Sequence, residues 1–135
     1  MSVEFVDTNI LIYAHDAASP PKRAVALELI GRLSAGRNGR LSTQVLLEFF
    51  ATSRKIGLQR AVAAEIVEDL TSWPVYAPTV EDVSVAVGFS IRQTISVWDS
   101  LIIRSALQSG CDILWSEDLQ DGRRFGTLRI QNPFR

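Results

Sequence analysis

Short apolar stretches that end on acidic or hydroxyl residues alternate with helix-length amphipathic segments along the whole chain. This alternation limits the fold more than any other feature. Val3-Glu4-Phe5-Val6 has the period of a strand and stops at Asp7-Thr8-Asn9, three residues that favour turns and helix caps, so a strand delivers Asp7 to a helix start. Ser19-Pro20-Pro21 interrupts the chain before Lys22 to Ala35, whose Ala24, Leu27, Leu29, Ile30 and Leu33 suit an amphipathic helix. After the Gly36 to Gly39 turn, a short Arg40-Leu41 strand leads to Ser42-Thr43, caps for a helix through Lys55 that Gly57 stops. Gln59 to Leu70 reads as a further helix and Trp73 to Tyr76 as a short strand.

Two capping signatures follow. Thr79-x-x-Asp82 opens a helix to about Gln93, and Ser96-x-x-Asp99 opens another that ends at Gly110. Asp112-Ile113-Leu114-Trp115 reads as a buried strand with Glu117, Asp118 and Asp121 behind it, and Leu128-Arg129-Ile130 as the closing strand before Asn132-Pro133. Strands spaced by helices imply a central, mainly parallel sheet with helices on both faces. With 135 residues, 47% hydrophobic and 21% charged, a single domain over 1–135 with one core is expected, and disorder is excluded. No apolar run is long enough for a membrane span, and Glu4 and Asp7 stand where a signal peptide needs basic and then apolar residues. The lone Cys111 cannot form an internal disulfide, and with the lone His15 it cannot build a Cys/His zinc cage. A cytoplasmic setting is expected.

Net charge is −1, so attraction to nucleic acid cannot come from the molecule as a whole. It can come from patches. Arg32, Arg37, Arg40, Arg54, Lys55 and Arg60 face only Glu48 in one segment, and Arg123, Arg124, Arg129 and Arg135 crowd the tail. Twelve of the fourteen cations are arginine, the side chain that grips phosphate or carboxylate in a fork.

Parallel sheets place ligands beyond the carboxyl ends of their strands. Asp7, Asp99 and Asp118 map to that edge, and Glu48 stands alone inside Val45-Leu46-Leu47-Glu48-Phe49-Phe50, where an ionised carboxylate needs compensation. Each acid also has a purely structural use. Asp7 can cap a helix, Asp99 can complete the Ser96 box, Asp118 and Asp121 can shape a turn, and Glu48 can pair with Arg54 or Arg104. If four carboxylates meet, repulsion forbids full ionisation unless a divalent cation sits among them. Oxygen-only ligands select a hard ion, magnesium or manganese, which activates water and stabilises charge on phosphoryl oxygens. Thr8, Asn9 and Ser116 are polar neighbours able to orient such ligands. Trp98, Phe49 and Phe50 are candidates for stacking on bases.

The segments Val6 to Ala14, Leu47-Glu48-Phe49, Trp98 to Ile103, Leu114 to Gly122 and Asn132-Pro133-Phe134 together resemble PIN-domain ribonucleases, most closely VapC-like toxins of toxin–antitoxin pairs. The resemblance spans nearly the whole chain. It departs at Ser116, where threonine is common, and at Trp98, where tyrosine or a similar ring is common. It implies a three-layer α/β/α fold and Mg²⁺-dependent RNA cleavage, with Mn²⁺ a substitute. By the same resemblance Asp7, Glu48, Asp99 and Asp118 form the catalytic acidic set; Asp7, Asp99 and Asp118 bind metal; and Thr8, Asn9, Ser116 and Asp121 are accessory. Homodimerisation and neutralisation by a cognate antitoxin are also implied.

Two other readings compete. A phosphorelay receiver needs a lysine after a late strand, and the only lysines, Lys22 and Lys55, are early. A catalytically silent PIN-like module that binds RNA or protein is the alternative that sequence leaves open.

Overall fold

The computed structural model describes all 135 residues, Met1–Arg135. The elements are β1 (Glu4–Val6), α1 (Thr8–Ala14), α2 (Pro20–Gly36), β2 (Gly39–Ser42), α3 (Thr43–Thr52), a 3-10 turn (Ser53–Ile56), α4 (Arg60–Leu70), β3 (Val75–Tyr76), α5 (Val80–Gln93), α6 (Val97–Gln108), β4 (Ile113–Trp115), β5 (Arg124–Phe125) and β6 (Leu128–Gln131). The six strands form one sheet in the order β3-β2-β1-β4-β6-β5. Every neighbouring pair is parallel except β5 with β6. Helices flank this sheet in a three-layer α/β/α arrangement. α1 packs on α2 and α3, α3 packs on α4, and α5 pairs with α6. No helix is long and apolar enough to cross a membrane.

The central strands are buried on both faces, so they lack the alternation of a half-exposed sheet. Phe5, Val6, Leu41, Leu114 and Ile130 form the middle of the core, which Ile10, Leu11, Phe49, Ile102 and Ile103 complete from the helices. Each such side chain contributes about 1.5–3 kcal/mol on burial, so truncating Phe5 to alanine costs roughly 3–5 kcal/mol. One charged residue joins this layer. Glu4 at the start of β1 accepts from Arg32 Nη2 at 3.0 Å and Trp115 Nε1 at 2.8 Å, which compensates its burial.

Local chemistry sets the element ends largely as the sequence predicts. Thr79 and Asp82 form a reciprocal capping box at α5, and Ser42 and Ser96 cap α3 and α6. Gly57 ends the α3 segment in the left-handed conformation at φ +79°, preceded by the 3-10 turn instead of continuous α-helix through Lys55. Gly39 is required by a close approach: a Cβ there would lie 2.3 Å from the Trp73 ring.

Two expectations change. α2 begins at Pro20, because prolines fit the first helical positions, and its buried stripe is Ala26, Leu29 and Leu33, leaving Ala24 and Leu27 in solvent. The strand β5 went unread because two residues, one of them arginine, leave no periodic signal. It pairs back on β6 around Gly126, which adopts φ +59°.

Candidate functional site

From β1 the chain moves outward to β2 and β3, then returns to lay β4 on the other side of β1. The crevice of such a sheet opens at the carboxyl ends of the two strands flanking that reversal. Asp7 follows β1, and Ser116, Glu117 and Asp118 follow β4. The Asp7 N–H donates to the Trp115 carbonyl at 3.0 Å, fastening the two strand ends together.

Asp7 is the N-cap of α1 and only 5% exposed. Its Oδ1 accepts from the Thr8 N–H at 2.7 Å and its Oδ2 from the Ser116 hydroxyl at 2.8 Å. Asn9, two residues further and in the first turn of α1, serves both strand ends with one amide. Its Nδ2 lies 3.2 Å from Asp7 Oδ2, 3.3 Å from Ser116 Oγ and 3.2 Å from Asp118 Oδ2, while its Oδ1 accepts from the Glu117 N–H at 3.1 Å. Ser116 also accepts from the Asp118 N–H at 3.2 Å, so hydroxyl and amide together fix the acidic loop.

Glu48 comes from α3. The Thr8 hydroxyl donates to its Oε1 at 2.8 Å and Gln44 Nε2 to its Oε2 at 3.1 Å. Gln44 Nε2 also reaches the Trp98 carbonyl at 3.1 Å, tying α3 to the first turn of α6, where Asp99 sits. The apolar run around Glu48 is not a buried cage. On the helix only Val45 and Phe49 turn inward, Leu47 is 72% exposed, and no cation pairs with Glu48. Arg104 instead pairs with Asp82, its Nε 2.7 Å from Oδ1. Ser96 caps α6 by accepting from the Asp99 N–H at 3.1 Å, without the reciprocal bond of a capping box.

Asp7, Thr8, Asn9, Glu48, Asp99, Glu117 and Asp118 therefore line one cleft of about 500 Å³. Burial pushes the Asp7 pKa up to about 7, against the hydrogen bonds from Ser116 and Thr8 and with the charges of Asp99 and Asp118 adding to it. Asp99 is raised as well, by burial first, against the Ser96 hydroxyl, with Asp118 and Glu48 repelling it.

The three acids after β4 separate clearly. Glu117 spends both oxygens elsewhere, on the Tyr13 hydroxyl at 2.7 Å and on Lys22 Nζ. Burial opposes its ionisation, but those two bonds and the Lys22 charge prevail and lower its pKa. Asp121 lies outside the cleft and accepts from the Asn132 N–H at 2.8 Å. Asp118 alone turns toward Asp7. Of the aromatic candidates, Phe49 is buried, whereas Trp98 is 65% exposed and Phe50 lies at the surface under Arg60. The sequence reading missed Gln44, Tyr13 and Lys22. Gln44 stands four residues before Glu48, a helical spacing that could have found it; Lys22 carries no such signal.

The donor set suits a hard divalent ion. It is all oxygen, it holds more negative charge than its cations offset, and its carboxylates are pre-oriented by neutral hydroxyl and amide donors. No three of the carboxylates converge on one point at ligand distance.

Comparison with known proteins gives the same architecture. No curated protein matches the sequence. The chain is similar in structure to the toxin VapC20 of Mycobacterium tuberculosis, which cleaves the sarcin–ricin loop, with 21% identity, a TM-score of 0.63, and 93% of this chain covering 98% of that one. It is similar to VapBC2 of Rickettsia felis, solved bound to a promoter DNA fragment, with 16% identity, a TM-score of 0.64, and 96% and 97% coverage. For VapBC-1 of nontypeable Haemophilus influenzae the values are 20%, 0.63, and 98% of each chain. The PIN domain family model matches residues 5–123, from the first strand through the acidic loop. The chain belongs to the PIN domain family.

Proposed function

We propose that the protein is a Mg²⁺-dependent endoribonuclease that hydrolyses RNA phosphodiester bonds and acts as the toxin of a toxin–antitoxin pair. One observation carries this reading: Asp7, Glu48, Asp99 and Asp118, from four separate segments, line the same cleft with too little positive charge to balance them. Asp7, Asp99 and Asp118 would hold the ion, which when bound supplies a Lewis acid for the phosphoryl group and an acidified water. Ser116, Thr8 and Asn9 hold the Asp7 and Asp118 carboxylates in place before substrate arrives, so little reorganisation is needed during reaction. Glu48, steadied by Thr8 and Gln44 in the cleft lining, would accept a proton from water. The basic segments hold the RNA backbone.

The decisive measurement is cleavage of RNA by purified protein with magnesium against chelator. Asp7→Asn and Asp99→Asn should stay folded and lose cleavage; activity retained in both would remove the assignment. The second reading, a silent PIN-like module, draws on the absence of a three-carboxylate convergence. Manganese-dependent thermal stabilisation without any cleavage product would favour it.

The partners are argued from different observations. The VapBC neighbours support a cognate antitoxin, to be sought by co-purification. An apolar stripe of Val80, Val83, Val87 and Ile91 on α5 is exposed and supports a homodimer. A cytoplasmic setting follows from an RNA substrate.

A further inference from the structure

The β5–β6 hairpin places two arginines against each other. Its register sets Arg124 directly opposite Arg129, and both are exposed. Like charges at facing positions of an antiparallel pair destabilise it. Neither guanidinium has a carboxylate partner; the ion pairs of the molecule are Lys22–Glu117, Arg32–Glu4 and Arg104–Asp82. A single charge would suffice to keep an edge strand from pairing with other chains. The facing pair therefore goes beyond edge protection.

The hairpin also connects to the acids. A second hollow of about 270 Å³ shares Asp99 and Asp118 with the acidic cleft and runs past Leu119 to Arg123 and Phe125. Arg123 stands there with its guanidinium 4.7 Å from the Phe125 ring centroid and one nitrogen 2.6 Å from Gln93 Oε1. Strand alternation sends Arg123 and Phe125 to one face of the edge and Arg124 with Arg129 to the other. Guanidinium groups thus straddle the free edge of the sheet, Arg123 in the hollow beside the acids and Arg124 with Arg129 on the other face, level with Ile113 at the start of β4.

We infer that this hairpin is a phosphate-binding subsite, over which an RNA strand leaving the acidic cleft passes Arg123 and wraps the sheet edge onto Arg124 and Arg129. The inference rests on the proposed ribonuclease reading for its choice of polyanion. A phosphodiester backbone relieves the Arg124–Arg129 repulsion, and arginine forks match phosphate oxygens better than lysine would.

The test uses a fluorescein-labelled 20-nucleotide single-stranded RNA, with binding followed by anisotropy in EDTA across a potassium chloride series. Arg124→Ala/Arg129→Ala should weaken binding about tenfold or more at low salt and reduce the salt slope by about 1.4, two phosphate contacts on a single strand. Arg124→Glu should raise the melting temperature, because it turns the facing repulsion into attraction, while weakening RNA binding. A merely structural role would move both readings the same way. Unchanged affinity and slope in the double variant overturn the subsite, as does polyglutamate competing as well as RNA at equal ionic strength, which would mark a surface for acidic protein. If wild-type protein binds RNA in this way but cuts none with magnesium, the ribonuclease reading fails and the subsite stands. If it cuts and the double variant binds and cuts normally, the reverse holds.

Discussion

The Thr8 hydroxyl donates to Glu48 Oε1 at 2.8 Å, joining the first residue of α1 to the middle of α3 across forty positions of sequence. Thr8 also offers its backbone N–H to Asp7, so a single residue orients carboxylates from two segments. Replacing Thr8 by valine keeps the shape and the N–H but deletes the bond to Glu48. RNA cleavage should fall about 10- to 100-fold, the usual cost of losing a partner that orients a ligand. Thr8→Ser should restore most of it, and equal losses in the two variants would show that the hydroxyl does not act through Glu48.

How far the sequence reveals such relationships depends on the range of the forces involved. Capping at Thr79-Asp82, at Ser42 and at Ser96 is settled within four residues and was legible. The mainly parallel sheet was legible too, since fully buried strands must lack alternation. Glu48 misled because its run of bulky neighbours reads as core until helical geometry turns Leu47 and Phe50 outward. In the sequence, the preference for Asp118 over Glu117 and Asp121 rests on resemblance alone, because no local pattern separates the three. What separates them is Lys22 and Tyr13 reaching Glu117 across about a hundred positions.

Asp7 ties stability to pH. Its folded pKa of about 7 lies above its ordinary value of 3.8, so between roughly pH 4 and 7 the folded chain keeps a proton that the unfolded chain has lost. Without metal, stability should therefore fall as pH rises through that window and level off above it. Asp7→Asn removes the Asp7 share of the slope, leaving what Asp99 supplies, and should be the more stable protein at pH 8 by up to a few kcal/mol, because an amide loses no charge solvation on burial. Urea unfolding at pH 5 and pH 8 in EDTA checks the sign. Millimolar manganese should then stabilise wild type at pH 8 and leave the variant unmoved.

Lys22 and Glu117 form the pair nearest the acids. Lys22 Nζ also lies 4.7 Å from the centroid of the Tyr13 ring, so the pair is packed as well as charged. Because both partners are partly exposed, Lys22→Met should barely change the melting temperature. Its larger effect should be on metal binding. Without its cation Glu117 becomes a further uncompensated carboxylate on the cleft wall, and manganese affinity by calorimetry should rise several-fold while cleavage drops. Adding Glu117→Gln to Lys22→Met should return the affinity to the wild-type value. Effects of the two changes that simply add would show that the pair does not shield the site.

The α5 stripe predicts the oligomeric state. Asp82 and Ala86 are the buried residues of that helix, yet Val80, Val83, Val87 and Ile91 run along another face at spacings of three and four, with Val80 88% and Ile91 76% exposed. Helical geometry makes these four one continuous ridge. Fully covering such side chains is worth roughly 1.5–3 kcal/mol each, so four from each of two copies give on the order of 10 kcal/mol gross after allowing for partial exposure. Association costs about 4–15 kcal/mol, so gain and cost are of the same size and any dimer built on this ridge should be dissociated by a single charge within it. Ile91→Arg should convert the protein to a monomer in light scattering behind a sizing column, with an unchanged melting curve at low concentration. A wild-type protein that is monomeric at tens of micromolar would assign the ridge to a different partner, and the antitoxin would be the first to test by titrating it against the Ile91→Arg variant.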